Sequence, residues 1–195
     1  PRRPEDVKVP DHILKSVVFL AERAHSGVDR ECFDLKGTGF FFGVPSPHMS
    51  GHLYLYLVTA RHVAEKLHGD KAVALVNLKR GGVRGVALDG IWYFHPTEDS
   101  VDAAVYPFEI SAEFDVLSNA SDLTLNPSTM KTMRMGVGDE VFLAGLFSLA
   151  PGIHRNSPMV RQGTIAMIPE EPIQINRGFA EVYLLEIRSI GGISG

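Results

Sequence analysis

The sequence predicts an all-β protein built from two successive sets of antiparallel strands, and three observations carry that reading. Short β-branched and aromatic runs recur along the chain, separated by glycine, proline and polar turns. Helix-like stretches are few and brief. A polar segment from Ser111 to Met130 divides the runs into two groups. Two antiparallel barrels or one large sandwich would satisfy this pattern.

The first group starts at Ser16–Ala21, then Gly39–Val44 and Leu53–Val58, the last two joined by a Pro/Ser/Gly-rich turn from Pro45 to Gly51. Val73–Val76 and Val83–Leu88 flank Lys79-Arg80-Gly81-Gly82, which reads as a hairpin tip. Ile91–Phe94 and Ala103–Tyr106 complete the set. The second group holds Glu140–Gly145, Val160–Met167 and Glu181–Ile187. Ala60–Leu67 has room for about two helical turns, and Asp11–Lys15 for a short lead-in with Asp11 as its N-cap.

The bulk numbers bound the function. Of 195 residues, 45% are apolar and 22% charged, which suits a globular core of one large domain or two small ones. The formal net charge is −4 and no basic block occurs, which argues against a nucleic-acid partner. No apolar run approaches the roughly 18 residues of a membrane span. The single cysteine, Cys32, excludes an intramolecular disulfide and points to a reducing, cytoplasmic setting. Cys32 itself reads as a small buried or half-buried residue. No signal peptide is visible, although a chain that starts at Pro1 leaves a processed N-terminus open.

Three sites carry candidate chemistry. Thr59-Ala60-Arg61-His62-Val63 follows an apolar strand, so His62 sits at a strand end, where a neutral imidazole can take a proton near neutral pH. Ser100-Val101-Asp102-Ala103-Ala104-Val105 places a carboxylate directly before a small apolar strand, where it is poorly solvated and needs a partner. Asp99 is its rival, but lies farther from the apolar run and is expected to face water. Gly192-Ile193-Ser194-Gly195 sets a serine between glycines, which permit a sharp bend and close approach of a carbonyl to main-chain N–H groups. Each signal is weak alone, and a structural histidine, a turn aspartate and a plain Gly-Ser turn are the bland readings. His48 and His52 are four residues apart, but in a Pro/Ser/Gly loop rather than on a helix, so no zinc spacing is present and no metal or cofactor is expected.

Taken together, in the order His62, Asp102, Ser194, the three sites resemble those of the chymotrypsin-like (trypsin-fold) serine peptidases. That family carries its base in Thr-Ala-x-His, its orienting acid before an apolar-Ala-apolar run, and its nucleophile in Gly-x-Ser-Gly. Gly37-Thr38-Gly39-Phe40, Val137-Gly138-Asp139-Glu140-Val141 and Val160-Arg161-Gln162-Gly163-Thr164-Ile165 are similar to three further strand motifs of the family. The resemblance spans Val17 to Gly195, and Arg188-Ser189-Ile190-Gly191-Gly192-Ile193-Ser194 is similar to bacterial trypsin-like peptidase domains.

The resemblance implies two six-stranded antiparallel β-barrels. Residues 1–110 would form the first, with His62 and Asp102. Residues 111–130 would connect, and residues 131–195 would form a second barrel left incomplete after the nucleophile. It implies peptide-bond hydrolysis through an acyl-enzyme, with a polypeptide as substrate. Ser194 would be the nucleophile, His62 the general base, Asp102 the orienting acid, and the main-chain N–H groups of Gly192 and Ser194 the oxyanion hole.

Digestive members carry an aspartate just before the serine. Ile193 stands there, so activation by a new N-terminal amine is not expected. Family members also continue past the serine, which implies a longer parent protein. Arg188 or Ser189 falls near the expected pocket floor.

The principal alternative is a catalytically silent domain of the same fold that binds or scaffolds. An α/β-hydrolase would place the serine before acid and base and would need alternating helices. A β-sandwich binding module would make the serine fortuitous.

Overall fold

In a computed structural model, which describes residues 8–24, 32–120, 124–147, 152, 154–175 and 177–187, the first apolar run becomes a strand covered on both sides. That strand is β1, Val17–Ala24, whose first five residues are all buried. It pairs antiparallel with β2, Cys32–Pro45, and with β4, Ala72–Asn77. The sheet continues through β3 (Leu53–Thr59) and β5 (Val83–Ala87), then β6 (Tyr93–Phe94) and β7 (Ala104–Pro107). Its order is β5-β4-β1-β2-β3-β7-β6.

Successive strand residues point to opposite faces, and here each face has its own apolar cluster. Val18 and Leu20 enter one with Phe41, Leu57, Val63, Val76 and Phe108. The Phe41 and Phe108 rings lie 4.8 Å apart, tilted by 52°. Val17, Phe19 and Ala21 enter the other with Val73, Leu75 and Leu146. Cover on both faces is why β1 is continuously apolar instead of alternating.

The hairpin read at Lys79–Gly82 joins β4 and β5. Gly81 and Gly82 take φ of 90° and 86°, a left-handed conformation that glycine adopts freely. The polar segment after residue 110 is stitched to this first sheet over its first ten residues. Phe114 is buried and bridges to Leu78, and Asp115 N–H donates to Asn77 O at 2.8 Å. β8, Asn119–Ala120, pairs parallel with β2. Helix α3, Pro127–Thr132, follows, with the Asn126 side chain accepting from Thr129 N–H at 2.9 Å as its cap.

The second half contributes a three-stranded antiparallel sheet whose middle strand is the one that starts at Met159. Its strands are β9 (Glu140–Gly145), β10 (Met159–Met167) and β13 (Leu184–Ile187). At Gly163, where β10 pairs with β13, a Cβ would run into Glu186 O, so the close pairing needs glycine. The two halves are tied together by buried groups. Leu146 inserts into the second cluster, with Val17, Phe19 and Val73, its N–H 3.4 Å from Thr38 Oγ1. Asn156 is buried and exchanges bonds with Asn77: Asn156 N–H donates to Asn77 Oδ1 at 2.8 Å, and Asn77 Nδ2 to Asn156 O at 2.9 Å.

Several expectations are revised. Among the described residues the first half forms a path of seven strands plus β8, not six, with β5 and β6 at its two ends. A hairpin absent from the sequence reading joins β11, Ile173–Ile175, to β12, Gly178–Ala180. Asp11 is not an N-cap but the first residue of α1, Asp11–Leu14; Pro10 holds the cap position, without a side-chain bond. Cys32 is exposed, because it begins β2 at the rim, beyond both apolar clusters.

One rim cluster sets an acid-side response. Oε1 of Glu22 accepts the His68 main-chain N–H at 2.9 Å and lies 2.7 Å from His68 Nδ1, while Lys36 Nζ sits 3.1 Å from Oε2. The His68 side-chain bond is the largest influence; with the His68 main-chain bond and Lys36 it outweighs burial and holds Glu22 down at about 2. A depressed carboxylate contributes stability that is fully present above its ordinary value of 4.5 and is lost as pH falls toward 2. Glu22→Gln is therefore expected to flatten that acid-side loss in urea midpoints measured against pH. Parallel curves for the variant and the native protein would show that Glu22 is not the titrating group.

Candidate active site

The register of the first sheet brings His62 and Asp102 together. β3 and β7 pair antiparallel with Thr59 opposite Ala104. His62 lies three residues after Thr59, and Asp102 two residues before Ala104. Thr59 is anchored by its hydroxyl, which donates to Thr38 O at 2.8 Å. The chain then turns into α2, Arg61–Ala64. Val63 and Ala64 are buried on the core side, which leaves His62 at the surface.

Helix α2 opens without a side-chain cap of its own, since Ala60 occupies the cap position. Its first N–H groups therefore need partners from elsewhere. Asp102 supplies one. Its Oδ1 accepts the main-chain N–H of His62 at 3.0 Å, and its Oδ2 lies 2.7 Å from His62 Nδ1. One carboxylate thus caps the helix and grips the ring that the helix carries. With Nδ1–H donated to Asp102, Nε2 keeps its lone pair, the tautomer a general base requires.

The side chains of His62 and Asp102 are 40% and 45% exposed, so Asp102 is more open than its place before an apolar strand implies. The reason is positional: burial in this segment starts at Ala104, inside β7, and Asp102 precedes it on the rim. Burial is the largest single influence on Asp102 and pushes its pKa up. The two His62 hydrogen bonds, with the electrostatic attraction of His62 and of the Arg177 guanidinium, outweigh it and hold the carboxyl below its ordinary value. Asp99 is 87% exposed and pairs with Arg61 at 2.9 Å rather than with His62.

Gly192, Ser194, Ile193, Arg188 and Ser189 lie outside the described residues. His48 and His52 lie on the β2–β3 turn. Among the described residues no three His, Cys, Asp or Glu side chains gather to hold a metal ion, and no helix is long and apolar enough to cross a membrane.

The sequence reading did not single out Glu65 or Arg177, which border the pair. Glu65 follows α2, and its Oε1 takes Arg61 Nε at 2.9 Å. Arg177, in the β11–β12 turn, reaches the same carboxylate, with Nη2 2.8 Å from Oε2. The Ile173-Gln174-Ile175 alternation before Asn176-Arg177-Gly178 is the signal that could have found this hairpin.

No family model matches the chain, and no curated protein matches it. Among solved structures it is similar to the crystal structure of the MamO protease domain from Magnetospirillum magneticum in its apo form. The two share 18% identity over 92% of this chain and 74% of that one, with a TM-score of 0.52. The likeness shows the fold: mostly β, with antiparallel sheets, and trypsin-like.

Proposed function

We propose that this chain is a serine endopeptidase domain that hydrolyses peptide bonds through an acyl-enzyme, with His62, Asp102 and Ser194 as its triad. The observation that carries the reading is the double hold of Asp102 on His62, through the ring Nδ1 and the main-chain N–H. An aspartate that only capped α2 would have no need of the ring.

The chemistry then runs in two halves. Ser194 Oγ attacks the scissile carbonyl of a polypeptide, and Nε2 of His62 takes the hydroxyl proton. Asp102 stabilises the imidazolium that forms. The main-chain N–H groups of Gly192 and Ser194 receive the oxyanion. The tetrahedral intermediate collapses, the C–N bond breaks, and His62 returns the proton to the leaving amine. Water then enters, gives a proton to His62, and attacks the acyl-enzyme; as the second tetrahedral intermediate collapses the C–Oγ bond breaks, His62 returns the proton to Ser194 Oγ, and the acid is freed. No group in this sequence of steps calls for a metal or cofactor.

Labelling with a fluorophosphonate serine probe tests the reading in the intact protein. Native protein is expected to label and Ser194→Ala to lose labelling entirely. Labelling that persists in Ser194→Ala puts the nucleophile elsewhere. A native protein that stays unlabelled at every probe concentration favours the silent, binding reading of the same fold.

A further inference from the structure

Helix α2 is a poor platform for a catalytic base on its own. It has four residues, and a helix that short has almost no intrinsic stability. Its orientation comes from ties to other elements. Two have been described: the Asp102 clasp at its start and the burial of Val63 and Ala64. The third is at its end and comes from the other half of the chain.

Glu65 lies three residues after His62, close to one helical turn. Its carboxylate is held from two directions. Arg61 binds Oε1 through Nε at 2.9 Å, and Arg177 binds Oε2 through Nη2 at 2.8 Å, with its Nη1 3.4 Å from Oε1. Arg61 is itself fixed by Asp99 at 2.9 Å and lies 5.2 Å from the centre of the Phe94 ring. Arg177 also favours the ionised form of Asp102. Four charged groups, Asp99, Arg61, Glu65 and Arg177, thus run alongside the His62–Asp102 pair.

The Glu65–Arg177 pair is well solvated: Glu65 is 40% exposed and Arg177 38%. Exposed ion pairs add little to global stability, so this chain of charges is a weak explanation for folding. It is a better explanation for aim, because a small angular error at a general base is costly.

We propose that Arg177 is a positioning residue for the His62–Asp102 pair: by holding Glu65, it ties the β11–β12 turn to α2, so that both halves of the chain aim the base. The proposal rests on the peptidase reading above for its effect on rate, but not for its effect on His62.

The test compares Arg177→Gln, Arg177→Lys, Glu65→Gln and the Arg177→Gln/Glu65→Gln double variant in the intact protein. Three quantities are measured: the rate of fluorophosphonate labelling, the proton resonance of His62 Nδ1–H, and the urea midpoint. Arg177→Gln is expected to slow labelling roughly 10-fold, to weaken the Nδ1–H resonance through faster exchange with water, and to leave the midpoint unchanged. Arg177→Lys restores part of the rate, since lysine keeps the charge and loses the fork. Glu65→Gln reproduces the Arg177→Gln effect, and the double variant is no slower than either single one.

An Arg177→Gln protein with a native His62 resonance and native labelling overturns the proposal. Additive losses in the double variant overturn the route through Glu65. If the native protein does not label at all, the peptidase reading fails separately, and the Nδ1–H resonance still decides whether Arg177 positions His62.

Discussion

Asp102→Asn is expected to slow acylation of Ser194 by about 10⁴-fold while the fold survives. The size of the loss follows from how the carboxylate is used. Oδ1 accepts the His62 main-chain N–H, and Oδ2 accepts the ring Nδ1–H. Asparagine offers one acceptor and one donor. Its carbonyl oxygen stays on the main-chain N–H, because two N–H groups cannot face each other there. The amide NH₂ is then turned toward Nδ1, which must become an acceptor. The ring proton moves to Nε2, and the base has no lone pair to offer serine. Helix α2 keeps its cap throughout, so the urea midpoint should barely move.

Labelling kinetics together with ring nitrogen resonances check both halves of this expectation. A loss smaller than about 10-fold would mean that Asp102 does not set the tautomer. The native carboxyl is held below its ordinary value, so the clasp is intact above the normal aspartate range. It is lost only as pH falls through that lowered value. Any fall in activity between about pH 5 and 7 therefore arises from a group other than Asp102.

Leu146→Ala is expected to cost about 2–5 kcal/mol of stability. Leu146 is fully buried just after β9, in the cluster that covers the Phe19 face of β1 and the Val73 face of β4. Truncation leaves a cavity among Val17, Phe19, Ala21, Val73 and Leu75. Strands β1 and β4 are rigidly paired there and cannot collapse into the gap. The same side chain plugs the second half into the first, so its loss should also loosen the Asn156–Asn77 exchange nearby. Urea unfolding measures the cost. Leu143→Ala, within β9 and 36% exposed, is the control and should shift stability by about 0.5 kcal/mol or less. Equal costs at the two positions would show that Leu146 is not a keystone between the halves.

Much of this was readable residue by residue. The run Ser16–Ala21 announced a strand because six small or apolar residues in a row have few alternatives. Gly81-Gly82 announced its hairpin because the φ values it needs suit glycine. Thr59–His62 and Asp102 stood out as residue types placed at strand ends. Other features left no local trace. Cys32 looked like a core residue by type and is exposed by position. The short strands β11 and β12 left only the brief Ile173-Gln174-Ile175 alternation, a signal three residues long.

By itself, then, the amino-acid order determined the β class, most of the strands, and the succession His62, Asp102, Ser194. All of these depend on nearest neighbours along the chain, which the sequence states directly. Only the tertiary structure decided that Thr59 faces Ala104, that Asp102 caps α2 while holding its histidine, and that Arg177 crosses from the second half to Glu65. Each is a contact between residues tens of positions apart. Such contacts are set by strand register and by which faces are covered, quantities that exist only once the chain has folded.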